Sequence, residues 1–173
     1  GPKGVGLLYF NNEESVIPLL TGASHERGLR ASTENVPAII AFGEAVKQLA
    51  IQDYQDHCFR LKEKLKFILE NADIDCQFFD TNRGLENTIS VCFPSCEGHS
   101  IAMNCDLDGL DISTGSACSV GSIEPSHVLT AMAISDEKNK QTLRISLGLT
   151  NTLEDIETIA SILIKHVKRF QQG

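Results

Sequence analysis

Cys118 lies in the run Ser113-Thr114-Gly115-Ser116-Ala117-Cys118-Ser119, a single thiol among residues too small to pack around it. A structural cysteine is normally held by bulky neighbours, because it behaves as a small hydrophobe. Here Gly115 and Gly121 carry no Cβ, and Ser and Ala add little bulk, so the composition predicts an accessible thiol on freely turning backbone. Sulfur chemistry needs such a group: a thiolate must reach a second sulfur and then present its product elsewhere. The other five cysteines (Cys58, Cys76, Cys92, Cys96, Cys105) mostly stand in apolar or helical surroundings. Two plainer readings compete for Cys118. One is a space-filling cysteine. The other is a metal site gathering Cys92, Cys96, Cys105 and Cys118, against which stands the spacing, since structural zinc sites favour two tight pairs. In an alternating strand, moreover, Cys92 faces away from Val91 and Phe93.

Arg144 sits inside the apolar strand pattern Thr142-Leu143-Arg144-Ile145-Ser146. A guanidinium there either grips an anion bidentately, as a substrate carboxylate would require, or occupies an exposed strand position. His25-Glu26-Arg27-Gly28-Leu29-Arg30-Ala31-Ser32-Thr33 brings charge and hydroxyls to the start of a helix. Free backbone N–H groups there suit a phosphate, although Ser32 or Thr33 acting as an ordinary N-cap would explain the same residues. His57 and His166 read as solvated helix positions, and His99 and His127 are ambiguous. The carboxylate runs near Asp53 and Glu154 read as wet helix faces.

The elements that must position these groups form an α/β pattern. Val5–Phe10 is strand-like and opens without a preceding partner, as if cut from a longer chain, though Gly1-Pro2 also resembles a protease scar. Residues 11–32 read as loop. Apolar recurrence predicts one long helix from about Thr33 to Asn71, bent near Asp53. Strands follow at 74–79 and 88–93, with a turn at Asn82-Arg83-Gly84 between them. A helix over 100–107, a brief strand over 111–113, a helix from Pro125 to about Ala133 and a strand over 142–147 come next. The last element is an amphipathic helix over 152–170, opened by a near capping box of Thr152 and Asp155.

Bulk properties narrow the classes. With 42% hydrophobic and 22% charged residues over 173 positions, the chain is globular rather than disordered. Six irregularly spaced cysteines do not make a secreted disulfide scaffold. There is no signal-peptide pattern and no apolar run of ~18 residues, so a cytoplasmic (or organelle-matrix) protein is expected, without membrane insertion. A formal charge of −8 opposes direct nucleic-acid binding.

Six strings, in order, resemble the C-terminal half of a cysteine desulfurase, a pyridoxal-phosphate enzyme of the aminotransferase-like superfamily. They are Gly1-Pro2-Lys3-Gly4; His25 to Arg30 leading to Thr33-Glu34-Asn35; Asn87-Thr88; Ser116-Ala117-Cys118; Glu124-Pro125-Ser126-His127-Val128-Leu129; and Leu143 to Gly148. The resemblance implies a remnant of the fold-type-I large domain over 1–52. A small C-terminal α/β domain would follow over 53–173, with a mainly antiparallel sheet packed by helices. It also implies that Cys118 takes sulfur from L-cysteine as a persulfide, releasing L-alanine, and hands it to an acceptor protein for iron–sulfur cluster assembly or tRNA thiolation. Arg144 would hold the substrate carboxylate. Thr33 would reach the pyridoxal phosphate of the opposite subunit in a homodimer, and no metal is implied. There are two departures from the family: Ser32 replaces a usual glycine, and Thr21-Gly22-Ala23-Ser24 thins a glycine-rich lead-in. The family's cofactor-bearing lysine would fall before Gly1, so this stretch by itself is expected to be inactive. A cofactor-independent thiol carrier or interaction module, and a cysteine-ligated metal protein, are the alternatives.

Overall fold

A computed structural model describes residues 1, 3–12, 16–49, 51–79, 84–114 and 125–172. The chain divides into two compact units, Gly1–Ala50 and Ile51–Gly173.

In the first unit, a short 3-10 turn spans His25–Gly28, and helix α1 spans Val36–Gln48. The N-cap of α1 is Asn35, whose side chain accepts from Ala38 N at 3.3 Å. Neither Ser32 nor Thr33 caps the helix, because the chain enters it two residues later than the sequence pattern suggests. The expected strand over 5–10 is not formed: these residues take no regular structure, and Leu7, Leu8 and Tyr9 are exposed. A lone extended segment has no ladder to satisfy its backbone, and the unit's described residues contain no second strand. No residue of α1 is buried.

The expected long helix is two helices. Helix α1 stops where Leu49 adopts extended φ/ψ (−80°, 95°), and helix α2 runs over Ile51–Glu70.

The second unit is built on a four-stranded antiparallel sheet. Its strands are β1 (Gln77–Phe78), β2 (Thr88–Cys92), β3 (Ser113–Thr114) and β4 (Thr142–Ser146), in the order β1-β2-β4-β3. The expected α/β architecture, a mainly antiparallel sheet packed by helices, is observed. Helix α3 spans Gly98–Leu107, α4 His127–Ala131, α5 Asp136–Lys140 and α6 Leu153–Gln171. The short polar α5 has no apolar stripe to announce it, and sequence periodicity passes over it.

Alternation along the strands separates two faces. Ile89, Val91 and Phe93 from the β2 segment join Leu143 and Ile145 of β4 in the main core. Leu61, Leu65 and Leu69 of α2 and Ile156, Leu163 and Val167 of α6 close over them. Each such side chain contributes roughly 1.5–3 kcal/mol on burial, so this face carries the unit's stability. The opposite face is different. At one end Cys92, Phe79 and Leu129 of α4 form a second, small cluster. At the other end the side chains are Ser90, Arg144 and Ser146, half-buried or exposed.

The last helix starts as its sequence predicts. Thr152 Oγ1 accepts from Asp155 N at 3.2 Å, and Thr152 N donates to Asp155 Oδ2 at 2.8 Å. His166 on this helix is buried rather than solvated. Asp108, the C-cap of α3, accepts from His166 Nε2 at 2.8 Å, which gives the imidazole a partner between Leu163 and Val167.

Candidate functional site

The open end of the sheet's second face centres on Arg144. Position 144 is the middle of β4, and its Cα partners are Ser90 on β2 and Ser113 on β3. The guanidinium is therefore flanked by a serine on each neighbouring strand. Its one hydrogen bond among the described residues is from Nη2 to Ser113 Oγ, at 3.5 Å, the limit of such contacts. No carboxylate pairs with it among the described residues. An exposed arginine with small hydroxyl neighbours and no anionic partner is suited to an incoming carboxylate.

Cys118 lies outside the described residues, as does the rest of 115–124. Its attachment is described. Strand β3 pairs with β4 at Ser113↔Arg144 and Thr114↔Leu143, so the segment bearing Cys118 departs beside Arg144. Cys118 is four positions after Thr114, a covalent span of at most about 14 Å.

The other thiols are poorly suited to the same work. Cys58, Cys92, Cys96 and Cys105 are buried, and Cys76 is half-buried. Burial pushes the Cys105 thiol up to about 11, with the Asp108 charge adding to it. Burial also raises Cys92, Cys96 and Cys76 above the usual thiol value, the last helped by Glu70 and Asp75. A thiol held protonated is a weak nucleophile and a weak ligand. Cys92 packs in the small cluster while Cys96 and Cys105 sit in the main core. Among the described residues no three His, Cys, Asp or Glu gather as a metal-holding group.

Thr33, in the other unit, is exposed just before α1. Its hydroxyl makes no hydrogen bond among the described residues, while its carbonyl accepts from Ser32 Oγ at 3.3 Å. A free hydroxyl near a helix N-terminus, where backbone N–H groups carry partial positive charge, fits a phosphate. Ser32 holds φ +150°, at the outer edge of the half of φ space that favours glycine. His25 Nδ1, in the same stretch, is buried without a hydrogen-bond partner among the described residues.

Sequence strings that look like site motifs turn out partly to be scaffold. Asn87 O accepts from Leu147 N at 2.8 Å, and Asn87 Nδ2 donates to Tyr54 Oη at 2.7 Å. These bonds tie β2, β4 and α2 together. Burial raises the Tyr54 phenol, with Cys58 beside it acting in the same direction. The sequence alone does not mark Ser90 and Ser113 as neighbours of Arg144. Strand alternation gives their face, but pairing register is not written in any one strand.

A two-layer α/β unit with an unpaired strand arginine, beside the exit of a cysteine segment, defines the class. The aminotransferase class-V family model matches residues 1–159, and the chain belongs to that family. Within it the chain is 38% identical to cysteine desulfurase IscS of Dictyoglomus turgidum, covering 99% of this chain and 44% of that protein. It is 35% identical to cysteine desulfurase IscS 1 of Archaeoglobus fulgidus, over 99% of this chain and 45% of that protein. The chain thus spans less than half the length of these relatives. Among solved structures it is similar to a NifS-like protein from Rickettsia africae, with TM-score 0.70 and 29% identity over 91% of this chain and 40% of the other. The resemblance to cysteine desulfurases expected from the motifs is borne out. Among the described residues no helix is long and apolar enough to cross a membrane.

Proposed function

We propose that this chain is the sulfur-accepting portion of a cysteine desulfurase, in which Cys118 takes the sulfur of L-cysteine and Arg144 holds the substrate's carboxylate. The observation that carries this reading is the pairing of Ser113 with Arg144, which starts the Cys118 segment beside an arginine that has no carboxylate partner among the described residues. The balance of the reaction is simple. The Cys118 thiolate attacks the substrate sulfur, an S–S bond forms, and the substrate C–S bond breaks. The β-carbon keeps the electron pair and takes a proton, giving L-alanine and a persulfide on Cys118. The persulfide then passes to the thiol of an acceptor protein, an iron–sulfur scaffold or a tRNA-thiolation relay.

Pyridoxal phosphate, when bound, supplies an electron sink next to the amino acid's α-carbon. Of the residues described here, Thr33 fits its phosphate, through an exposed hydroxyl beside the first turn of α1. The chain's own contributions are orientation and capture. Arg144 fixes the amino acid by its carboxylate, next to the strand that leads into the Cys118 segment. Residues 1–52 belong, in this reading, to a large cofactor domain and 53–173 to the small domain, with Thr33 serving the opposite subunit of a homodimer.

Mass spectrometry of the complete polypeptide after exposure to L-cysteine tests the proposal. An added sulfur on Cys118, lost with Cys118→Ser together with alanine release, supports it. Arg144→Ala should raise KM for cysteine by roughly one to two orders of magnitude, since a charge-assisted bidentate contact is worth about 1.5–3 kcal/mol. Sulfur found on another cysteine, or alanine formation surviving Cys118→Ser, would overturn it.

A further inference from the structure

Asn139 is a polar residue buried in the second unit. It is 3% exposed, in a five-residue helix whose other members are all charged. A buried amide is costly unless its hydrogen bonds are made. Those of Asn139 go to one place: Oδ1 accepts from Ser126 N at 2.8 Å, and Nδ2 donates to Ser126 O at 3.1 Å. A third contact, Nδ2 to Thr130 Oγ1, is at 3.5 Å. The amide thus grips both backbone groups of a single residue, as a paired strand would. Ser126 is the N-cap of α4 and is the second described residue after 115–124. Its own side chain does not cap the helix, and a helix of five residues cannot hold itself in place.

The other end of the clamp is rigid. Asn139 N donates to Ser135 O at 2.8 Å, and Thr142 Oγ1 donates to Lys138 O at 2.6 Å, fastening α5 to the first residue of β4. Arg144 follows two residues later on that strand. The chain leaves toward Cys118 after Thr114, which pairs with Leu143, and the preceding Ser113 pairs with Arg144 itself. Both attachments of the Cys118 segment are therefore referenced to β4, one by strand pairing and one by an asparagine side chain.

We infer that Asn139 is a positioning residue for sulfur capture: by clamping Ser126 to the strand that carries Arg144, it fixes where the Cys118 segment re-enters the fold relative to the bound substrate. This rests on the proposed role of Cys118, and the experiment separates the two. In the complete, cofactor-loaded polypeptide, the rate constant for appearance of sulfur on Cys118 is measured in a single turnover, with Asn139→Ala and Asn139→Asp. The Asp variant retains the acceptor for Ser126 N and loses the donor to Ser126 O. The expected result is a fall of about tenfold or more for Asn139→Ala, because small misplacements of a reacting group are costly, with a smaller fall for Asn139→Asp. The amplitude and the half-saturating cysteine concentration stay unchanged. A second readout needs no cofactor: in this chain alone, the alkylation rate of Cys118 by iodoacetamide changes severalfold while that of Cys76 does not.

A residue serving stability alone would lower the amplitude, the fraction folded, and leave the rate constant where it was. That result, or no change in either rate, overturns the inference, as does a rise in half-saturating cysteine that accounts for the whole effect. Should Asn139→Ala fail to fold, Asn139→Asp carries the same comparison. Absence of sulfur on Cys118 in the unsubstituted protein would instead overturn the proposed function, and the inference with it.

Discussion

Helix α1 is more apolar in composition than helix α2, yet α1 buries none of its residues and α2 buries five: Cys58, Leu61, Lys62, Leu65 and Leu69. The two helices follow one another in sequence and belong to different units. In α2 the apolar side chains are matched by strands and by α6, so each buried methylene is repaid in transfer free energy. In α1 Ile40 and Val46 remain open at 66% and 56% exposure. Amphipathic periodicity reports that a helix has a face to bury, and says nothing of what covers it. Stability in this chain is thus concentrated in 51–173.

The comparison is broken or kept most directly by separating the units. A polypeptide of residues 51–173 should melt in one cooperative transition, whereas residues 1–50 should show none by calorimetry or circular dichroism. Fifty residues without a buried helix face cannot offset the chain entropy of folding. A cooperative melt from 1–50 would refute the distinction. The next largest contrast is side-chain truncation. Phe93→Ala, at a position with 0% exposure, should cost about 3–5 kcal/mol in urea denaturation. Ile40→Ala should stay within about 0.5 kcal/mol.

What sequence revealed follows the same division. Strand alternation correctly set Cys92 against Val91 and Phe93, and the Thr152–Asp155 pair marked the start of α6, because both signals are local. The Val5–Phe10 run looked equally good as a strand and forms none, since strand formation depends on a neighbour that periodicity cannot supply. Arg144 was legible as a candidate from its place among apolar residues. Its flanking by Ser90 and Ser113 was not, because register joins segments more than fifty residues apart in one case and about thirty in the other. Asn139 was hidden for a related reason: a polar residue in a polar stretch gives no hint that its amide reaches Ser126. Ser135 followed by Asp136 and Glu137 did carry a start signal for α5, a capping hydroxyl with acidic residues in the first turn.

A paired substitution sharpens the contrast through backbone conformation. A Cβ at Gly98 would stand 2.9 Å from Lys140 O and 3.1 Å from Thr142 O, both backbone atoms of the strand-bearing unit. Gly98→Ala should therefore lower stability by about 1–3 kcal/mol, with a reduced melting temperature. Ser32→Gly should act in the opposite sense. Ser32 holds φ +150°, and relieving such strain is worth on the order of 1–3 kcal/mol, against about 0.5–1 kcal/mol of glycine entropy. The net gain, about 1 kcal/mol, should appear as a small rise in melting temperature of the complete polypeptide. A loss on Ser32→Gly would mean that the position is not strained, and the two units would then differ less than their backbones suggest.

The smallest effect expected is electrostatic and belongs wholly to the second unit. Hydrogen bonds from Lys165 and then His166 hold the Asp108 carboxyl below its ordinary value. A depressed native value means that the ionised form favours the fold. The contribution is complete above the ordinary carboxylate range, near pH ~4, and is lost as pH falls through the lower native value. The tether joins the C-cap of α3 to α6, Lys165 Nζ lying 2.7 Å and His166 Nε2 2.8 Å from the same Oδ2. Asp108→Asn should flatten the acid limb of the melting-temperature profile between about pH 5 and pH 2 relative to the parent, and leave its shape unchanged above that window. The same substitution should lower the Cys105 thiol slightly, since the Asp108 charge is the lesser cause of its elevation and burial the greater. An acid limb that stays as steep in Asp108→Asn as in the parent would show that α3 and α6 are held by their apolar contacts alone.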